Sequence, residues 1–438
     1  MTRWYESGFS VLLITLIGAV LRWQGMENTV TYEEATTYLS LISNAAAETT
    51  TSFGLHGFLV KISTAVFGGE PWAIRLPFLL AGVALIPISF WIARTVFNES
   101  VGILAAALAA VSPALMDHAA QASRYGLLPL FLLTGIGCLL KWQQAKRWQW
   151  LAGSFLGLVL ALYAYLSPTQ TFEYPWVLFM EKLPATFALA WTHWQTAIPG
   201  FFTLLLFIGF WVGVFRKEAR TVGHTILYIA TWIFLVVLTH QKPAPEVWLF
   251  LWLCYFILAA AGLCFLLDWL VSLLPKKHQH PWLIAVFSGI ILITGSIIGV
   301  QNSSSQPPSA LPSASEWLQE QLLPQDVLFT LETAAKPLEY YWRQGDVSYS
   351  RQQVSLLNVF KLTASTRDDV AETTDVSPKA FLLVPRQVAP ETAEQVFGAL
   401  GQALGHPVAT ALIQPFGSYL LLEVKPAQAS SGKENPNG

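Results

Sequence analysis

Charged residues are scarce in this chain of 438 residues, and those present are not gathered into a patch of one sign. Asp, Glu, Lys and Arg make up 12% of the sequence, against roughly 25% in an average soluble domain. The net charge is only −2 and the basic residues are scattered, which excludes a nucleic-acid partner on electrostatic grounds. Hydrophobic residues reach 54%, and the mean hydropathy is +0.48. This composition predicts an integral membrane protein that contacts membrane lipids.

Cysteine is also scarce, since Cys138, Cys254 and Cys264 are the only ones and all lie in apolar runs. They form no CxxC pair and have no matching histidines, so the sequence indicates neither a disulfide framework nor a structural zinc site. A Gly-rich phosphate loop and an internal repeat are missing too. Because a transporter often shows repeated halves, a transporter ranks behind the functions considered below.

What the chain has instead is long hydrophobic segments. A bilayer core needs roughly 20 apolar residues per helix, so we predict about nine spans, or ten if the half-apolar loop 167–198 also crosses. The predicted spans are Ser7–Leu21, Trp72–Val96, Val101–Met116, Leu127–Leu140, Trp148–Leu166, Pro199–Phe215, His224–Leu238, Val247–Leu274 and Pro281–Val300. Basic residues fall in every second connection, which predicts a cytoplasmic amino terminus. Everything after Val300 is then expected outside the cytoplasm.

Composition divides the chain into a membrane part and an outer part. Residues 1–300 form the predicted transmembrane domain, with an outer loop at 22–75 and a cover loop at 167–198 in the interface plane. Residues 301–315 are rich in Ser, Pro and Gln and are expected to be a linker. Residues 316–426 contain an amphipathic stretch and the apolar runs DVLFTL, AFLLVP and SYLLLEV, which predict a small α/β domain. The tail 427–438 is expected to be disordered.

The outer loop is where we expect chemistry, because a charged group at a membrane boundary loses solvation and usually persists there for a function. It contains Arg22, then the acidic pair Glu33 and Glu34 followed by Ala35, and then His56, which opens HGFLVKISTAVFG. Two apolar blocks come next, AIRLPFLLAGVALIPISFWIARTVF and AALAAVSPALMDHAAQASRYGLLPL.

In this order the blocks, over residues 21–140, resemble the polyprenyl-phosphate-sugar-dependent glycosyltransferases of the GT-C superfamily. That group contains the protein O-mannosyltransferases and the lipid A aminoarabinose transferase. The chain departs from the family pattern in having Glu33-Glu34 for Asp-Glu and His56-Gly57-Phe58 for His-Pro-Pro. It also has Gln121-Ala122-Ser123 before Arg124, where an acidic residue is common. The first departure lengthens the family's base by one methylene.

The resemblance implies a role for each matching residue. Glu33 stands at the position of the catalytic Asp and would activate the acceptor. Glu34 would orient a neighbour or help to hold a divalent cation, and metal use stays open. Arg124, with Tyr125 beside it, would bind the donor phosphate, and His56, Arg75 and Lys242 would complete the set of phosphate contacts.

Plainer interpretations stand beside these roles. Glu33 and Glu34 also fit an ordinary helix start with Thr31 as its cap. Arg124 also fits an interfacial arginine that reaches toward water, and Tyr125 an interfacial tyrosine. His56 also fits a surface or capping residue.

The expected protein is thus a multi-span α-helical membrane protein with a small C-terminal α/β domain outside the cytoplasm. The resemblance implies an inverting glycosyltransferase of a bacterial inner membrane, with a polyprenyl-phosphate-linked sugar as donor and an unidentified lipid, glycan or protein as acceptor. The alternative is a catalytically degenerate member of the fold that binds a lipid-linked sugar or scaffolds envelope assembly. The glutamate at position 33 and the missing Pro-Pro favour that alternative.

Overall fold

The computed structural model describes the chain from Thr2 to Pro426 apart from short gaps. The gaps are residues 27, 44–53, 124, 167–174, 197–199, 217–218, 240–244, 273–288, 292, 295–296, 298–309, 324–325, 346, 355, 363–378, 387–389 and 417. Most of the last predicted span, more than half of the predicted linker and the whole predicted tail therefore lie outside the described residues.

The chain divides into two compact units. The first unit comprises Met1–Glu27 and Leu41–Ser305, and the second comprises Asn28–Ser40 and Gln306–Gly438. The sequence predicted one boundary near residue 300. The structure also groups Asn28–Ser40, part of the predicted outer loop, with the second unit.

Among the described residues before 273, the regular structure is helical. In chain order the α-helices are α1 (Thr2–Trp23), α2 (Tyr32–Ser43), α3 (Gly54–Phe67), α4 (Pro71–Val96), α5 (Glu99–Val111), α6 (Pro113–Ala119), α7 (Leu128–Ala145), α8 (Trp148–Tyr165), α9 (Trp176–Thr196), α10 (Gly200–Arg216), α11 (Ala219–Thr239) and α12 (Leu249–Ser272). A 3-10 turn, Pro245–Trp248, directly precedes α12. The predicted cover loop thus contains the helix α9.

Three described stretches are long and apolar enough to cross a bilayer, namely Pro71–Val96, Trp148–Tyr165 and Glu246–Leu270. α5 and α6 add a fourth if the bend of 60° between them lies within one span. These stretches agree with a membrane protein. Other predicted spans form shorter apolar helices, such as Gly8–Trp23 and Thr225–Thr239, so the total of about nine to ten spans stays a prediction.

The bend between α5 and α6 has its cause in Pro113. Proline has no N–H, so the carbonyl of Ala109 loses the donor that would normally lie four residues further on. Arg22 replaces that donor, since its Nη2 donates to Ala109 O at 2.8 Å and its Nη1 to Ala110 O at 2.9 Å. The Nη1 atom also donates to Gly18 O at 3.0 Å. A cation buried in an apolar bundle is explained here by carbonyls that a helix break leaves without donors.

α10 and α12 pack through glycine. A Cβ atom added to Gly262 of α12 would collide with the backbone of Gly209 on α10. The two backbones therefore approach as closely as glycine permits. Van der Waals packing of this kind is what holds helices together in a bilayer, where water does not drive their association.

The second unit contains a six-stranded sheet. Its C-terminal elements are α13 (Ala310–Gln321), β1 (Val327–Leu331), α14 (Glu332–Gln344), β2 (Tyr349–Val354), β3 (Leu357–Leu362), β4 (Ala380–Pro385), α15 (Pro390–Leu404), β5 (Val408–Phe416) and β6 (Tyr419–Pro426). The strand order is β2-β3-β1-β4-β6-β5. β1 and β4 are parallel, and the other neighbours are antiparallel.

Helices cover both faces of this sheet. Leu328 of β1 belongs to one buried cluster with residues of α13 and α14, including Leu318 and Trp342. Phe329, the next residue of β1, belongs to another with Val396 of α15. Successive strand residues point to opposite faces, so β1 contributes to both cores. The C-terminal part is therefore a small sheet domain with a helical layer on each side. The sequence predicted a small α/β domain but not the two helical layers.

Candidate active site

α2 begins with a capping box formed by Thr31 and Glu34. The Thr31 N–H donates to Glu34 Oε2 at 2.8 Å, and the Glu34 N–H donates to Thr31 Oγ1 at 3.4 Å. This exchange satisfies two N–H groups that no preceding turn can reach. Glu34 is 1% exposed, whereas Glu33 is exposed. Of the acidic pair, Glu34 is engaged with the helix start and Glu33 is the carboxylate that solvent or a substrate can reach.

His56 lies in the first turn of α3 and contacts the turn before α7. Its Nε2 lies 2.9 Å from Ala122 O, and since a carbonyl can only accept, Nε2 carries the hydrogen. The imidazole also packs on Phe78, with ring centroids 5.2 Å apart. These contacts hold the backbone directly before Arg124.

The turn continues on the far side of Arg124. The Tyr125 N–H donates to Ser123 Oγ at 3.3 Å, and the Gly126 N–H donates to Ser123 O at 2.9 Å. A side chain at Gly126 would collide with Phe78, the same ring that supports His56. The turn is therefore packed closely against α4.

Tyr125 is buried rather than interfacial. It is 2% exposed, and its ring lies 6.0 Å from that of Tyr165 on α8. The plain expectation of an interfacial tyrosine does not fit this burial. Tyr125 instead anchors the turn in the core of the first unit.

Arg75 lies in the first turns of α4 and is 1% exposed. Its Nη1 donates to Met26 O at 3.0 Å and to Gly25 O at 3.4 Å. The guanidinium thus binds backbone carbonyls at the end of α1. This is the start of the predicted outer loop.

Two of the predicted site residues, Arg124 and Lys242, lie outside the described residues. The others divide between the two units, because Glu33 and Glu34 fall in the second unit whereas His56, Arg75 and Tyr125 fall in the first.

Sequence reasoning missed two features of the first unit. It noted Arg22 only as part of a family pattern, and not as the donor to the carbonyls beside Pro113. It also did not identify His118 of α6, whose Nε2 is buried and has no hydrogen-bond partner among the described residues. A charged or titratable residue in an apolar segment is the signal that points to both.

An apolar cavity of about 460 Å³ lies among α4, α7, α10, α11 and α12. Its wall consists almost entirely of aliphatic and aromatic side chains, including Ile92, Leu133, Phe210, Ile229 and Tyr255. A cavity with such a lining suits a hydrocarbon chain and excludes a charged group.

Within the described ranges, no three His, Cys, Asp or Glu side chains gather as metal ligands would. Glu34, the residue considered for a divalent cation, is engaged with Thr31.

Comparison with known proteins adds a family match. Residues 55–211 match the family of dolichyl-phosphate-mannose-protein mannosyltransferases. This range includes His56, Arg75, Arg124 and Tyr125. No curated protein sequence matches the chain at a significant level.

Solved structures add a match in fold. ArnT from Cupriavidus metallidurans in the apo state is similar with a TM-score of 0.51 and 13% identity, over 96% of this chain and 98% of that chain. ArnT from the same organism bound to undecaprenyl phosphate gives a TM-score of 0.47 and 13% identity, over 94% of this chain and 97% of that chain. The oligosaccharyltransferase AglB from Archaeoglobus fulgidus, in complex with an inhibitory peptide and a dolichol-phosphate, gives a TM-score of 0.33 and 14% identity. That match covers 69% of this chain and 39% of that chain. At such identities the likeness to apo ArnT indicates a common fold.

Proposed function

We propose that this chain transfers a sugar from a polyprenyl-phosphate donor to an acceptor outside the cytoplasm. The family match and the shared fold support its place in the GT-C superfamily of membrane glycosyltransferases. The observation that carries the proposal is the match of residues 55–211 to mannosyltransferases whose donor is a dolichyl phosphate sugar. The predicted blocks around His56 and Arg124 fall within that range.

The exposed Glu33 is the proposed base. As the acceptor oxygen or nitrogen attacks the anomeric carbon, its proton passes to the Glu33 carboxylate. The bond between the anomeric carbon and the phosphate oxygen breaks, and the polyprenyl phosphate leaves with the electron pair. One direct displacement inverts the configuration at the anomeric carbon. Glu34 contributes indirectly, because its capping box fixes the turn that carries Glu33.

The leaving phosphate needs positive charge and hydrogen-bond donors. We assign the charge to Arg124 and Lys242, because a guanidinium binds phosphate oxygens in a bidentate fashion. His56 and Tyr125 hold the turn on either side of Arg124, and Arg75 holds the end of α1. In this assignment His56, Tyr125 and Arg75 support the backbone, and the two basic side chains bind the phosphate.

The donor's hydrocarbon chain fits the apolar cavity among α4, α7, α10, α11 and α12. Its lining of aliphatic and aromatic side chains offers a polyprenyl chain an environment like the bilayer core. We place the protein in a bacterial inner membrane with a cytoplasmic amino terminus, because the basic residues fall in alternate connections. The sheet domain then lies outside the cytoplasm.

The test is a transfer assay with the full chain in lipid vesicles and a panel of labelled polyprenyl-phosphate sugars. We expect turnover with the wild-type protein, almost none with Glu33→Gln, and activity retained in Glu33→Asp, which restores the residue usual in the family. Glu70→Gln is the matched control, because Glu70 is another exposed carboxylate of the outer loop. The anomeric configuration of the product, read by NMR, tests inversion.

Two results would change the proposal. Full turnover in Glu33→Gln would remove Glu33 as the base. Donor binding without turnover across a broad acceptor panel would favour the degenerate, lipid-binding alternative, which the glutamate at position 33 already supports.

A further inference from the structure

The helix that carries Glu33 belongs to the same compact unit as the C-terminal sheet domain, although about 300 residues separate them in the sequence. Residues Asn28–Ser40 group with Gln306–Gly438. Among the described residues, α2 contacts α14 of the domain. The contacts between α2 and α14 determine whether the domain holds α2 in place.

The start of α2 is fixed by a hydrogen bond from the backbone. The Val30 N–H donates to the Tyr341 hydroxyl at 3.0 Å. Val30 is 2% exposed, so its N–H has little access to water and depends on that hydroxyl. Val30 directly precedes the capping residue Thr31. The bond therefore sets the position of the chain where the capping box begins.

The second attachment lies near the middle of α2. Tyr38 packs edge-on against Tyr340, with ring centroids 5.2 Å apart and planes inclined by 74°. The Gln344 side chain donates to the Tyr38 hydroxyl at 3.3 Å. Tyr340 is fully buried. An edge-to-face contact of this kind specifies the angle at which the two rings meet.

The two attachments fix the rotation of α2 about its own axis. Glu34, Ala35 and Leu39 are buried and repeat at helical spacing, so they mark one face of the helix. Successive helix residues differ by about 100° around the axis, so Glu33 points away from this face. A rotation of about 100° that brought Glu33 to the angular position of Glu34 would bury the Glu33 side chain.

We infer that α14 of the C-terminal domain is the positioning element for Glu33, with Tyr341 and Tyr340 as its positioning residues. The domain then acts on the reaction by orienting the base. This inference rests on the proposed function, in which the exposed Glu33 carboxylate is the base.

The test compares Tyr341→Phe with Tyr419→Phe in the full chain in lipid vesicles. Tyr341→Phe removes the acceptor for the Val30 N–H and keeps the ring. Tyr419→Phe is the matched control, because Tyr419 packs against the same core cluster as Tyr341 but lies on β6. Two quantities are measured: amide hydrogen exchange of residues 30–39, and kcat and KM for the donor.

We expect Tyr341→Phe to raise amide exchange in residues 30–39 and to lower kcat by roughly two- to tenfold, the range that one hydrogen bond accounts for. The donor KM should change little, since the donor phosphate is bound elsewhere. Tyr419→Phe should leave both exchange and kcat as in the wild type. General destabilisation would raise exchange throughout the second unit and would lower the apparent kcat through loss of folded protein. The positioning role predicts raised exchange confined to residues 30–39 and a lower kcat per folded protein.

Unchanged exchange in Tyr341→Phe would overturn the inference, as would raised exchange with an unchanged kcat. The second result, obtained together with an inactive Glu33→Gln, would refute the positioning role and leave Glu33 as the base. An inactive wild-type protein would refute the proposed function. Because amide exchange does not depend on turnover, the exchange comparison would then still decide whether α14 holds α2.

Discussion

Replacing Glu34 by Ala tests whether this residue caps α2 or takes part in the reaction. The substitution removes the acceptor that the Thr31 N–H meets at 2.8 Å. Loss of this one hydrogen bond of the capping box costs about 1 kcal/mol. The free energy of unfolding of the second unit should fall by about that amount, which lowers the melting temperature of a unit of this size by about 2 to 4 °C.

Two further variants isolate the effect. Glu34→Gln keeps a side-chain oxygen in place, and glutamine serves the same role in capping boxes, so it should retain most of the stability. Glu33→Ala removes only an exposed carboxylate from the first turn, where the interaction with the helix dipole is worth about 0.3 to 1 kcal/mol. Stability should therefore fall in the order Glu34→Gln, Glu33→Ala, Glu34→Ala.

Thermal unfolding of the purified protein in lipid, combined with amide exchange at the start of α2, measures these differences. A Glu34→Ala protein as stable as the wild type would refute the capping argument. Turnover separates the roles further, because Glu34→Gln should remain active. If Glu34→Gln kept full stability and lost turnover, Glu34 and not Glu33 would be the base.

Three other predictions concern the two units separately. Arg351→Ala removes hydrogen bonds to Glu332 and Glu339 at 2.8 to 3.1 Å and should destabilise the sheet domain by about 2 kcal/mol, measured by amide exchange in β2 and β3. Burial alone would raise the pKa of Glu339, but Lys336 and Arg351 outweigh it and lower that pKa. The resulting stability should be present above the ordinary carboxyl pKa and lost as the pH falls through the lowered pKa. Glu339→Gln should abolish this part of the pH dependence of unfolding. Gly262→Ala should force α12 away from α10, by the collision noted above, and lower the melting temperature of the first unit.

Part of the sheet domain was predictable from apolar runs alone. The runs DVLFTL, AFLLVP and SYLLLEV correspond to β1, β4 and β6, which lie inside the sheet. β2, with the sequence YSRQQV, was missed because it is an edge strand and edge strands carry polar side chains. β3 is interior but was missed because Asn358 interrupts its apolar pattern. That asparagine is buried and accepts from Arg351 at 2.9 Å, a pairing between strands that no local pattern reveals.

The candidate site was predictable only where its geometry is local. Thr31 followed three residues later by Glu34 is a helix-start pattern, and the structure has that capping box. The bond from Val30 to Tyr341 joins residues 311 positions apart, and neither residue carries a pattern that names the other. The grouping of α2 with the sheet domain therefore could not be derived from the sequence.

Arg22 and Glu34 match the family pattern, but their described contacts stabilise the fold. Arg22 donates to carbonyls that the helix break at Pro113 leaves without partners, and Glu34 accepts the N–H that begins α2. A buried donor or acceptor without a partner is costly, so selection for folding alone would keep both. A shared motif therefore does not identify a reacting group by itself. The exposed Glu33 has no such duty among its described contacts, and this is the physical reason to test it first as the base.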